Sequence, residues 1–208
     1  MLKNELIFQY AGGTASMSKS LMAATYLFLN SKESSLYKEF EGYCGEEFGN
    51  ISQINPSKLT PQDCIDKKHE NVGSHKSPIN PIYNFIDSLN NLKWKKIFSG
   101  FYEFSFNLSD KENAKLIKMS PGAKVPIHSH NGREYILVLE GSFCDEYGTY
   151  SKGNLQINDS KIKHTPVASN ISGCICLTIT EEELVFYGKF APILNIITFF
   201  KSLFTFSK

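Results

Sequence analysis

Two periodicities divide the chain. Up to about residue 48, apolar side chains recur at helical separations: Leu6, Ile7 and Tyr10 form one cluster, and Leu21, Met22, Ala24, Leu27 and Phe28 a second. Gly12, Gly13 and Thr14 interrupt them, which predicts a turn there and a new helix from near Ser16 or Ser18, where a hydroxyl would cap the first turn. A third helix is predicted from Ser34 or Ser35 to about Cys44, with Leu36, Phe40 and Tyr43 inward. From Asn50 to Pro81 the pattern decays into prolines and polar residues, a linker with room for a short helix at Thr60–Asp66. Ile82–Leu89 reads as another short helix.

From Trp94 the period falls to two. Strands are predicted at 93–98, 101–108, 114–119, 125–130, 134–140, 142–147, 153–157, 163–168, 174–180 and 185–187, separated by Gly, Asn, Asp and Pro turns. Glu140 and Gly141 are expected to end one of them. Many short strands without intervening helices imply a sandwich or barrel. The tail 191–200 places Ile193, Ile196, Ile197 and Phe200 on one helical face, so a helix from Pro192 is expected. The expected organisation is a small helical domain (1–50), a linker (51–90), a β domain (91–190) and a tail (191–208).

The 208 residues carry 22 Lys and Arg against 21 Asp and Glu, which leaves no electrostatic footprint for direct nucleic-acid binding. No signal peptide is read, and the apolar stretch 192–200 is too short for a bilayer, so a cytoplasmic protein is expected. Cys44, Cys64, Cys144, Cys174 and Cys176 are odd in number and scattered, unlike a disulfide framework, and read as small hydrophobes. His69 and His75, among lysines in the linker, read as solvent-facing.

The chemistry concentrates elsewhere. His128 and His130 are two apart, so on a strand both imidazoles leave the same face. Asn131 and Gly132 suit a tight turn that brings Glu134 beside them, and an antiparallel return can add His164. Three imidazoles and a carboxylate suit a divalent metal: zinc first, with iron, manganese, nickel or cobalt compatible with the same donors. Arg133 reads as a turn charge or a partner of the ligands, and Tyr135 should point away from them. No dinucleotide fingerprint, P-loop or nucleophile elbow is present.

Gly122, His128, His130, Glu134 and Gly141 match the first cupin motif, G-x5-H-x-H-x3-E-x6-G, at every interval. The second motif places its histidine on His164 but has Asp159, Lys161 and Ala168 where proline, glycine and asparagine are usual. Residues 121–154, IKHTPVASN at 162–170 and GCICLTITEE at 173–182 resemble the ChrR family of zinc-binding anti-sigma factors, as does LIFQYAGGT at 6–14. The resemblance implies a mainly β fold: a C-terminal cupin (double-stranded β-helix) barrel with a small N-terminal helical domain. It further implies a cytoplasmic regulator of singlet-oxygen or peroxide stress that sequesters an extracytoplasmic-function sigma factor, and cupins commonly pair as homodimers. It puts the barrel ligands on His128, His130, Glu134 and His164. The family's N-terminal zinc pattern falls on Tyr26, Asn30 and Glu33, so that site does not carry over, and the helices must be held by packing that uses Tyr26, Phe28, Tyr37 and Phe40. Two other functions fit the same ligands: a metal-dependent cupin enzyme of dioxygenase or acetylacetone-cleaving type, and a metal-stabilised cupin that binds a small molecule or itself.

Overall fold

The computed structural model describes residues 2–49, 88–106, 108, 111–189, 191, 192 and 195. The linker readings at Thr60–Asp66, His69 and His75, and most of the helices expected at Ile82–Leu89 and in the tail, lie outside these residues. Three helices open the chain: α1 (Leu2–Ala11), α2 (Met17–Leu29) and α3 (Ser34–Gly49). The Gly12–Ser16 break is where the sequence placed it, and Ser16 Oγ accepts the Lys19 N–H as the α2 N-cap. A 3-10 turn, Ser31–Glu33, joins α2 to α3.

Ten strands follow: β1 (Lys95–Phe98), β2 (Phe101–Ser105), β3 (Asn113–Met119), β4 (His128–His130), β5 (Glu134–Asp145), β6 (Gly148–Ser151), β7 (Leu155–Asn158), β8 (Val167–Ala168), β9 (Cys174–Thr180) and β10 (Leu184–Phe186). Gly141 does not end its strand. The 12-residue β5 runs through it, with a register shift between Val138 and Glu140 where the strand pairs with β9. At Gly141 φ is +68°, and a Cβ there would overlap the carbonyl oxygen of Gly173. The glycine is required by this close approach of two strands, not by a turn.

Eight strands form one sheet in the order β1-β2-β3-β9-β5-β6, with β7 and β8 also on β5, while β10 and β4 form a separate pair. The expected closed barrel is therefore not what the chain makes: the fold is mainly β with a small helical region, and its sheets stay open. The reason is local. The segments 121–130 and 163–168 carry Pro121, Pro126 and Pro166, which lack N–H donors, and they meet in isolated bridges at Lys124–Val167 and His128–His164 rather than in a continuous ladder. β4 pairs with β10, outside the large sheet.

The sheet is covered on both faces, and residue parity sorts the core. Tyr135, Leu137 and Leu139 of β5 and Ile175, Leu177 and Ile179 of β9 pack with Leu6, Ile7, Met22, Ala23 and Tyr26 of the helices. The alternate residues Ile136, Val138, Cys174 and Cys176 pack with Phe143, Ala168 and Met119 on the other side. Cys174 and Cys176 are buried there as small apolar groups, whereas Cys144 is exposed.

Polar contacts gather around Tyr26, Asn30 and Glu33 at the end of α2. Lys3 Nζ of α1 sits 2.8 Å from Glu33 Oε1 and over the Tyr26 ring at 5.7 Å, and Asn30 Nδ2 donates to the carbonyls of Tyr26 and Gly153. An ammonium and an amide thus join α1, the end of α2, the 3-10 turn and the β6–β7 turn.

Gly141→Ala is expected to lower unfolding free energy by roughly 2 kcal/mol or more, from the left-handed backbone penalty and the collision with Gly173. A denaturant midpoint that falls with an unchanged slope is the readout.

Candidate metal centre

His128 and His130 project from one face of β4, and the Asn131–Arg133 turn starts β5 at Glu134. His128 and His164 form a mutual backbone pair, each N–H donating to the other's carbonyl at 3.1 and 3.0 Å, which sets their rings side by side. The four sequence-derived residues thereby come together from three segments. One ligand atom from each of His128, His130, Glu134 and His164 lies within 4.8 Å of the others, and all four residues are buried. Arg133 and Tyr135 are not among them: Tyr135 faces the helices, and Arg133 Nη1 donates to Glu5 at 2.9 Å.

Hydrogen bonds behind the rings fix which nitrogens face inward. His128 Nδ1 lies 2.9 Å from the Pro126 carbonyl, and His164 Nδ1 lies 3.1 Å from Asp145 Oδ2. Neither oxygen can donate, so each Nδ1 carries the proton and each Nε2 presents a lone pair. Those two Nε2 atoms are 3.1 Å apart. His130 Nε2 is 3.0 Å from Glu134 Oε2, within ion-pair distance, yet neither nitrogen of its fully buried ring makes an aligned hydrogen bond. Buried lone pairs converging without a proton between them repel, and a cation reverses the sign of the interaction. Ligand atoms each about 2.1 Å from one ion stand roughly 3.0–3.4 Å apart at right to tetrahedral angles. Three of the six spacings, 3.0 Å for His130–Glu134, 3.1 Å for His128–His164 and 3.3 Å for His164–Glu134, fall in that range, and the others lie within 4.8 Å. The residues therefore fit a divalent cation.

Protonation favours the same outcome. Burial pushes His128 down to about 4, with the neighbouring imidazoles lowering it further against the pull of Glu134. Burial would raise the Glu134 carboxyl, but the His130 and His164 imidazoles hold it well below the carboxylate range. Burial would lower His164, but the Glu134 and Asp145 carboxylates outweigh it and raise its affinity for a proton. His164 thus takes up a proton more readily than an ordinary imidazole, and His128 less readily.

Residues beyond the ligands complete the site and were not singled out in the sequence. Asn158 Nδ2 donates to Glu134 Oε2 at 3.1 Å. Asp145, which receives His164, also accepts from Gln156 Nε2 at 2.7 Å and from the N–H groups of Tyr147 and Gly148. Gln156 and Asn158 alternate with Leu155 and Ile157 on β7, a pattern that reads as solvent-facing unless both sheet faces are known to be covered.

His128→Ala and His164→Ala are each expected to lower bound metal and thermal stability, read by metal analysis and calorimetry. Asp145→Asn keeps the turn acceptor but offers an amide donor to His164 Nδ1, favouring the tautomer that points a proton at the site. Zinc affinity by chelator competition is expected to drop about 10–100-fold. In the unsubstituted protein, affinity should weaken on acidification beginning above the ordinary histidine value of about 6.5, because the raised His164 holds a competing proton more tightly.

Residues 86–183 match the family described as the ChrR cupin-like domain. The anti-sigma-E factor ChrR of Cereibacter sphaeroides is 28% identical over 200 residues, covering 92% of this chain and 93% of that protein. The crystal structure of Rhodobacter sphaeroides SigE in complex with the anti-sigma ChrR superposes with a TM-score of 0.72 at 26% identity, covering 85% of this chain and 96% of the matched chain. Residues 86–183 thus carry a ChrR cupin-like domain, and the likeness to ChrR extends beyond it over the helices.

Proposed function

We propose that this chain is an anti-sigma factor of the ChrR type, which holds an extracytoplasmic-function sigma factor through its helical region and a divalent metal at His128, His130, Glu134 and His164. The observation that carries the reading is the extent of the likeness: it spans 93% of ChrR, helices included, where a shared metal domain alone would stop near residue 86. The near-neutral charge agrees with acting on a protein rather than on nucleic acid. Phe8 and Met17 in α1 and α2 keep about half their surface exposed, apolar area of the kind a protein partner covers. Among the described residues no helix is long and apolar enough to cross a membrane.

Zinc is the metal favoured here, since four nitrogen and oxygen donors can close its shell. When bound, the ion would cross-link β4, the start of β5 and the His164 segment, stabilising the folded form. No ligand residue is more than 6% exposed, which favours such a holding role over an enzyme whose ion must meet substrate.

Co-expression of the full chain with each extracytoplasmic-function sigma factor of its genome is expected to yield a stable complex with one of them and to silence that factor's transcription in vitro. Failure to retain any would overturn the anti-sigma reading. Anomalous scattering from the purified protein is expected to identify zinc at the four ligands; iron or manganese there would overturn the metal assignment and leave the partner untouched.

A further inference from the structure

We infer that the Asn131–Arg133 turn and the Glu181 carboxylate form a mechanical link by which metal occupancy controls how firmly α1 and α2 dock on the sheet. The inference rests on the metal reading above and goes beyond it, because it names the residues that carry the ion's effect to the helices.

The turn is bracketed by two ligands, His130 before it and Glu134 after it. Its position therefore depends on where those side chains are held. Glu181 reads that position with one carboxylate oxygen and reaches the helices with the other. Oε2 accepts the Arg133 N–H at 3.0 Å, and the Glu181 N–H returns a bond to the Arg133 carbonyl at 3.0 Å. Oε1 receives Lys19 Nζ of α2 at 2.8 Å. Lys19 also meets Glu112 at 2.9 Å, and Glu112 accepts from Ser16, the α2 N-cap. A second strand of the link is the Arg133–Glu5 ion pair to α1 at 2.9 Å.

The linkage is stiff where it matters. A Cβ on Gly132 would stand 3.0 Å from Glu181 Cβ, so the turn lies directly against the Glu181 side chain. The side chains of Lys19 and Glu112 are only 16% and 14% exposed. Ion pairs this enclosed are sensitive to geometry, because a displaced partner leaves a poorly solvated charge behind. Movement of the turn when the ion leaves therefore weakens the Lys19 cluster, and by thermodynamic reciprocity a broken Lys19 cluster weakens the hold on the ion.

The test uses the full chain with zinc as the probe. Amide hydrogen exchange is followed with zinc bound and after chelation, alongside zinc affinity by competition, in the unsubstituted protein, Lys19→Met and Lys3→Met. Chelation is expected to speed exchange in both β4–β5 and α1–α2 of the unsubstituted protein. In Lys19→Met, α1–α2 should exchange fast whether or not zinc is present, and zinc affinity should fall roughly 5-fold or more. Lys3→Met, which breaks an ion pair remote from the turn, should leave the affinity unchanged. Faster exchange confined to β4–β5 on chelation would sink the link while leaving the metal site intact. An equal affinity loss in Lys3→Met would overturn it as well, by showing that general helix stability and not this path sets the coupling. No zinc uptake at all would remove the metal reading and the link together.

Discussion

Three imidazole nitrogens and a carboxylate oxygen facing one another in a dry interior form an arrangement that a folded chain avoids unless a cation sits among them. His128 and His164 commit their Nδ1 protons outward, to the Pro126 carbonyl and the Asp145 carboxylate. The backbone explains why the chain accepts this cost. β4 lies outside the large sheet, paired with β10 and bridged at His128 to His164, whose segment reaches β5 only through the two-residue β8. A cation held by residues from β4, β5 and position 164 would join these segments across the open ladders. The incomplete sheet and the buried donor set are two aspects of one design.

The sheet also divides the labour between its faces. On β5, Glu134 turns toward the donors and Tyr135 toward the helices, so adjacent residues of one strand belong to different halves of the structure. The same parity on β9 puts Cys176 on the donor side and Leu177 on the helix side. A displacement of β5 at its first residue is therefore felt on both faces, without a flexible joint between metal and helices.

Legibility in the sequence followed locality. The convergence of His128, His130, Glu134 and His164 could be read because histidine is scarce, the first two share a strand face, and the other two follow a turn and an antiparallel return. The break between α1 and α2 could be read from its glycines, and the starts of α2 and α3 from their serines. Gly141 was misread because a left-handed glycine marks a turn more often than a strand crossing, and only the proximity of Gly173 distinguishes them. Closure into a barrel was misread because alternation reports that a segment is a strand, not which ladder it joins. Gly148–Ser151 escaped because its residues lack any apolar alternation; it is a strand by virtue of pairing with the end of β5. Asp145 and Asn158 escaped because a polar residue opposite an apolar one ordinarily faces water.

The helical region shows how little an ion pair can replace. Lys3, Tyr26 and Glu33 meet near where the family resemblance puts zinc ligands, and Asn30 ties the same corner to Gly153. The Lys3 and Glu33 side chains are 38% and 31% exposed, so solvent screens their pair, which contributes on the order of 0–1 kcal/mol. A coordinated metal would contribute far more. Beside the Lys19 cluster and the Arg133–Glu5 pair, α1 and α2 are held by the apolar surface that Leu6, Ile7, Met22 and Tyr26 share with β5 and β9. Helices secured chiefly by their seat on a sheet follow that sheet when its donor face changes, whereas helices secured by their own metal would not.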